Sequence, residues 1–383
     1  MFRLKTIVFL VVVAALALSA CAPAAQPTAA PAAPTQAPAP TTAPAAAPTS
    51  APAATSAPAA ANAAPTTAVQ GAMSAQPTFD ASTAKAACAP NCKYADMVIC
   101  FPQLGAESDW RTADTASFKD TAAKLGVKQL VFSDAQQKQE NQISAVRACI
   151  QQGVNVIALP PVVEDGWDAV LTEAKNANIP VIIVDRDVSA DPTLWASHIG
   201  SDMELEGQRA GLEFNKLLPN GGSILEVSGT TGSSAALGRS KGIRETLNSN
   251  IKILDAQTGD FTRAEAVPVV QAFLQKYKAG TDFQGIEFQN DDMGMGGLEA
   301  LKAAGIQPGQ LKIVSFDGTR AGFQAMVDGW FQADVECNPL LGPQVFDMAL
   351  KLMNGQNIPH QVLTNETVYY PSNAAQLLPT RQY

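Results

Sequence analysis

The feature that most constrains this chain is an alternation of short, almost wholly apolar runs with helix-length amphipathic segments. It begins at Met97 and starts afresh at Ser223. In the first array, 97–101, 127–132, 154–159 and 179–184 read as strands, with helices at 113–124, 136–152 and 166–177 between them. Strands that are apolar on both faces belong to parallel sheets covered by helices on either side. The second array has strands at 223–227, 251–256, 285–288 and 313–316, with helices around 204–217, 233–248, 263–278 and 292–304. Two such arrays of similar size predict an α/β protein with two doubly wound parallel-sheet lobes. A helix at 320–328, a strand at 331–336, a helix at 341–353 and a strand at 367–370 follow, and they do not simply prolong the second lobe.

The chain ahead of this alternation has another character. Residues 22 to about 87 are nearly all Ala, Pro, Thr and Ser. Such a segment cannot bury enough surface to offset its chain entropy. A disordered, extended stalk is therefore expected over 21–93. Before it, Arg3 and Lys5 precede an apolar run at 7–18, shorter than the ~20 residues that span a bilayer, which reads as a secretory signal over 1–20. The run ends in Leu18-Ser19-Ala20-Cys21, which resembles a bacterial lipobox. Cys21 is the expected lipidation site, and the lipid the only expected tie to a membrane.

The formal net charge is −9 and no long basic run occurs, which argues against nucleic acid as a partner. Cys21 aside, the cysteines are Cys88, Cys92, Cys100, Cys149 and Cys337, an odd set that leaves at least one unpaired. Cys88 and Cys92 flank Ala-Pro-Asn and fit either a small disulfide or half of a zinc site whose other half is not visible. Cys100 and Cys149 stand in apolar contexts and are expected to be buried thiols.

In open α/β sheets, ligands bind beyond the carboxyl ends of the strands. Those ends are rich in polar groups here. Gln103, Glu107, Asp109, Trp110 and Arg111 follow the first strand, and Asp185-Arg186-Asp187 the fourth. Arg239 stands in a helix after a Gly/Thr/Ser loop. Gln289, Asn290, Asp291 and Asp292 follow one strand, Asp317-Gly318 another, and Glu336, Cys337 and Asn338 a later one. Guanidinium forks, carboxylates and amides each engage two vicinal hydroxyls, and an indole covers the apolar face of a sugar ring. A monosaccharide is the ligand this set fits, with Trp110 as the ring platform. Simpler roles compete: a helix cap for Asp292 and for Asp109, a turn at Asp317-Gly318, a solvated ion pair at Asp185-Arg186. Trp167, Trp195 and Trp330 read as packing residues.

Glu107-Ser-Asp-Trp-Arg-Thr-Ala, Asp134-Ala-Gln-Gln-Lys-Gln-Glu-Asn-Gln-Ile, Pro161-Val-Val-Glu-Asp-Gly-Trp, Gly259-Asp-Phe-Thr-Arg and Gln289-Asn-Asp-Asp-Met, in this order, resemble the type I periplasmic binding protein family. The resemblance covers about 96–375 and is strongest to the galactofuranose-binding members of its ribose/galactose branch. It implies three crossings between lobes, near 200, 337 and 365. One lobe is then 94–200 plus 338–365, and the other 201–337 plus 366–383. It also implies ligand contacts from Glu107, Trp110, Arg111, Asp185 and Arg186 on the first lobe and from Arg239, Asn290 and Asp317 on the second. At the hinge, Cys337 stands where ribose binders carry Gln, and Glu336 and Asn338 beside it are weaker candidates. The expected partners are a monosaccharide and an ABC permease whose ATPase is a separate chain, with the binder itself a monomer.

No cofactor, metal site or catalytic residue is expected. Gly294-Met-Gly-Gly lies within a helix pattern, and 232–238 lacks the spacing and the Lys of a phosphate loop. Two other functions share parts of this pattern. A sugar-sensing receptor component for chemotaxis or signalling would use the same site. A glycoside hydrolase would need two of Glu107, Asp185 and Asp317 paired at ~5 Å.

Overall fold

The computed structural model describes residues 79–83 and 86–383. The signal segment, Cys21 and the stalk up to residue 78 lie outside the described residues. No helix among the described residues is long and apolar enough to cross a membrane.

The first lobe is built from β1 (Val98–Gln103), α1 (Asp109–Leu125), β2 (Gln129–Asp134), α2 (Gln139–Gln152), β3 (Val156–Leu159), α3 (Asp168–Asn176), β4 (Val181–Val184) and β5 (Ser197–Gly200). The second takes α4 (Met203–Leu217), β6 (Gly222–Ser228), α5 (Ser234–Thr246), β7 (Ile251–Thr258), α6 (Arg263–Lys276), β8 (Gly285–Phe288), α7 (Asp291–Ala303), β9 (Lys312–Asp317), α8 (Arg320–Val327) and β10 (Ala333–Glu336). The chain then returns to the first lobe for α9 (Gly342–Met353) and β11 (Gln361–Leu363), and ends in the second with β12 (Val368–Tyr369) and α10 (Pro371–Leu377).

The sheets are ordered β2-β1-β3-β4-β5-β11 and β7-β6-β8-β9-β10-β12. The sequence of crossovers is the same in both, so each lobe is doubly wound about a switch point between its first and third strands. The sixth strands differ: β11 runs parallel to β5, whereas β12 runs antiparallel to β10. Three connections therefore join the lobes: β5 to α4, β10 to α9, and β11 to β12.

The physical basis is plain in the central strands. Val-Ile-Ala-Leu of β3 and Val-Ile-Ile-Val of β4 are buried at every position, as a sheet covered on both faces requires. Helices that start at the carboxyl ends of strands carry polar caps that satisfy their first amides: Ser108 for α1, Ser233 for α5, Thr262 for α6, Asn290 for α7 and Thr319 for α8. Phe101 stacks on Phe118 at 3.8 Å between ring centroids, joining β1 to α1. In the second lobe α4 and α5 touch backbone to backbone. A Cβ on Gly242 would lie 2.1 Å from Glu204 O, so no larger residue fits. Trp167, Trp195 and Trp330 are buried packing residues.

The structure departs from the sequence reading at several points. α1 starts at Asp109 rather than 113, and Ser108 caps it in place of Asp109. β5, β11 and α10 have too few residues and too little periodicity to be seen beforehand. Residues 86–93, assigned to the stalk from composition, are packed: the Ala86 and Cys92 amides donate to Met353 O and Asn354 Oδ1, at 2.9 and 2.8 Å. Cys88 and Cys92 form a disulfide. Cys100 and Cys149 are not thiols but a second disulfide, which ties β1 to α2. Their apolar surroundings are real, with exposures of 0% and 2%, and a disulfide is as compatible with burial as a thiol is. Among the described residues Cys337 is the free cysteine.

Candidate functional site

The carboxyl ends of both sheets face one another across the hinge. Twelve residues line one cavity between them, and they include Glu107, Trp110, Arg111, Asp185, Arg186, Arg239, Asn290, Asp317 and Cys337. The lobes are closed. Arg111, Arg186 and Arg239 are each only 2–3% exposed.

On the first lobe, Glu107 sits on the loop after β1, Trp110 and Arg111 in the first turn of α1, and Asp185 and Arg186 just past β4. Arg111 Nη2 donates to Asp185 Oδ2 at 2.6 Å and Nε to Glu107 Oε1 at 3.2 Å, while Nη1 lies 3.4 Å from Asp114 Oδ2. Burial alone would lower the Arg111 pKa, but Asp185, Glu107 and Asp114 reverse this and hold it above its ordinary value. Asp185 has φ 63° and packs against Gly200, where a Cβ would come within 2.6 Å of Asp185 O. Arg186 donates to Val162 O at 3.0 Å and lies 3.5 Å from Glu107. Burial, then the neighbouring Arg111, lower its pKa to about 10. The Trp110 ring lies 4.5 Å from the Arg111 guanidinium, and its N–H donates to Cys337 O at 2.7 Å.

On the second lobe, Arg239 projects from α5. Its Nε donates to Glu206 Oε2 at 2.7 Å, Nη1 donates to Gln289 O, and Nη2 lies 3.7 Å from Asp317 Oδ1. Asp317 ends β9 with φ 106°, and burial pushes its carboxyl well above the usual range despite Arg239. Asn290 caps α7 through Oδ1, and its Nδ2 donates to Phe261 O at 3.0 Å. Phe261, which the sequence reading did not single out, faces Arg186 at 4.9 Å and lines the cavity from the β7–α6 loop. The Gly259-Asp-Phe-Thr-Arg stretch was distinctive in sequence, but only the positive φ of Asp260 and Phe261 turns the ring inward.

Two carboxylate oxygens in this lining, Glu107 Oε2 and Asp317 Oδ2, are buried and have no hydrogen-bond partner among the described residues. A buried unsatisfied polar atom costs ~1–3 kcal/mol, more when charged. They come from residues of opposite lobes.

The eight principal residues named from sequence thus converge on one cavity, together with Cys337. Glu336 and Asn338 do not line it. Glu336 lies 3.2 Å from Arg381, and Asn338 Oδ1 accepts from the Leu340 amide. Gln103, Gln289 and Asp291 are buried within their own lobes, holding Asp114, Gly229 and Thr319 respectively. Asp292 is not a helix cap, a role Asn290 fills. It accepts from Asp109 N of the other lobe at 2.8 Å and from Arg263 at 3.0 Å. Two further bonds close the opposite side of the cleft, from Glu164 N to Gly232 O and from Asp187 N to Ser234 Oγ.

Two doubly wound lobes joined by three connections and closed over a polar cavity define a two-lobed solute-binding protein. The chain belongs to the periplasmic binding protein domain family, whose pattern matches residues 99–357. This is a family of binding proteins, not of enzymes. The chain is 39% identical over 291 residues to the galactofuranose-binding protein YtfQ of Escherichia coli strain K12, covering 74% of this chain and 91% of that one. It is similar to a Mycobacterium smegmatis structure in complex with β-D-fucofuranose, with 46% identity, a TM-score of 0.72, and 75% and 95% of the two chains covered. It is likewise similar to the binding component of the arabinose ABC transporter from Shewanella sp. ANA-3, bound to α- and β-L-arabinofuranose. There the identity is 40%, the TM-score 0.70, and the coverage 74% and 95%.

Proposed function

We propose that this chain captures a monosaccharide in furanose form, galactofuranose or a close analogue, and delivers it to an ABC permease powered by a separate ATPase chain. The observation that carries this reading is that Glu107 and Asp317, each with a buried oxygen lacking a partner among the described residues, line one cavity from opposite lobes. Glu107, Trp110, Arg111, Asp185 and Arg186 form one half-site, and Arg239, Asn290, Asp317 and Phe261 the other. A sugar held by both halves makes contacts in the closed form that neither lobe offers alone, and that difference in affinity drives closure. The relatives named for galactofuranose, or solved with fucofuranose and arabinofuranose, support the five-membered ring. Attachment through a lipid on Cys21, with residues 22–78 as a spacer, places a monomeric binder at the outer face of the cell membrane.

Titration calorimetry of the full-length chain against galactofuranose, arabinose, ribose, galactose and glucose tests the proposal. Tight binding of the furanose-forming sugars with weak or absent binding of glucose is expected. Binding of none of the five would sink it.

A further inference from the structure

The hinge holds a cluster at the edge of the sugar cavity, which Cys337 also lines. Glu206 lies in the first turn of α4, just after the first connection; Cys337 opens the second; Glu366 stands in the third. One ligand atom from each lies within 4.8 Å of the other two. Glu206 is fully buried. Its Oε2 is held by Arg239, but its Oε1 has no hydrogen-bond partner among the described residues. That oxygen faces the Cys337 thiol, and a buried carboxylate oxygen without a firm donor is open to a cation. Glu366 is anchored through Oε1, which accepts from Ser201 Oγ at 2.5 Å, Thr364 Oγ1 at 2.7 Å and Asn338 N at 3.0 Å. Cys337 Sγ lies 3.3 Å from Ser201 Oγ, and its thiol is free while the four other described cysteines are paired.

We propose that Glu206, Cys337 and Glu366 form a site for a thiophilic divalent cation, with zinc as the fitting ion. Thiolate with carboxylates suits zinc, whereas calcium and magnesium favour all-oxygen sets. Zinc bonds of ~2.3 Å to sulfur and ~2.0–2.2 Å to oxygen place tetrahedral ligands roughly 3.3–3.7 Å apart, so the ion draws this cluster inward by about 1 Å. Ser201 Oγ or a water takes the fourth position. Arg239 stays on the far oxygen of Glu206 and offsets part of the negative charge. Glu206 directly follows the first connection, and Cys337 and Glu366 stand in the second and third, so a bound ion ties all three together in the closed arrangement.

The test uses the full-length chain, treated with chelator, free of sugar, and titrated with zinc chloride or cobalt(II) chloride alone. One equivalent is expected to bind, with a thiolate-to-cobalt charge-transfer band in the near ultraviolet. Cys337→Ser should abolish the band. Glu366→Gln, which lies outside the sugar cavity, should weaken zinc binding at least tenfold. If Glu366→Gln does not fold by circular dichroism, Cys337→Ser alone decides. No uptake, or uptake and a band unchanged in Cys337→Ser, overturns the proposal. Neither outcome bears on sugar capture, which is read from the calorimetric titrations.

Discussion

The Asp109 amide of the first lobe donates to Asp292 Oδ2 of the second at 2.8 Å, and Arg263 reaches both carboxylates, at 3.4 and 3.0 Å. This contact spans the cleft beside the ligand cavity without lining it, so it acts on closure and not on recognition. Asp292→Ala is expected to weaken sugar binding by ~3–10-fold, an effect of about 1 kcal/mol that matches a half-buried ion pair plus one hydrogen bond. Stopped-flow fluorescence should place the change in a faster dissociation rate. A slower association with dissociation unchanged would contradict the latch.

Arg186 and Asp317 test recognition itself. Asp317→Asn puts an amide nitrogen, which donates and cannot accept, in place of one carboxyl oxygen. A site built around specific hydroxyls loses ~10⁴ in affinity when such a group is mismatched, so the loss should approach that size by calorimetry. Arg186→Ala should abolish measurable sugar binding. It should leave a folded protein, because Arg186 donates to a backbone oxygen and makes only a long contact with Glu107. An affinity unchanged by Arg186→Ala removes that residue from the site.

Stability should fall as pH rises through the range set by Asp114. Burial is the largest influence on its carboxyl and, despite Arg111 and Gln103, lifts the folded-state pKa to about 7. The unfolded chain releases this proton near pH 3.9, whereas the folded chain keeps it to about pH 7. Between those values the folded state binds more protons, so each rise in pH favours unfolding. Asp114→Asn should flatten this part of the Tm-against-pH curve. An unaltered slope in the variant would show that Asp114 is ionised throughout.

The Cys100–Cys149 bridge closes a loop with a sequence separation of 49. Chain-entropy arguments assign a loop of that length ~4 kcal/mol. Both sulfurs are buried, so reductant should reach them only through unfolding. Cys149→Ser is expected to lower Tm by several degrees and to leave sugar affinity within twofold. A Tm equal to that of the parent would mean that the bridge is absent in the protein.

Much of the fold was readable because its central strands are unambiguous. Val-Ile-Ile-Val between two helix-length segments admits little but an interior parallel strand, and the ends of such strands are where polar groups gather. The site residues followed from that rule and from the family resemblance. The misreadings have local causes. Asp292 looks like a cap because Asp caps helices, yet Asn290, two residues earlier, is better placed, and the partner of Asp292 lies 183 residues away in sequence. Phe261 was missed because a ring is turned into a cavity by backbone torsion, which composition does not encode. Cys100 and Cys149 read as thiols in the sequence because apolar neighbours say nothing about which other cysteine stands opposite.

α9 and β11 complete the first lobe, although they are encoded after nearly all of the second. Val345, Phe346, Ala349 and Leu352 of α9 pack into the core formed by Phe101, Phe118 and Ile182. Until Met353 has emerged, α1 alone covers that face of the first sheet. A nascent or truncated chain ending earlier presents an oily, unfinished layer to its surroundings, and neither half of this protein can be excised as one continuous fragment.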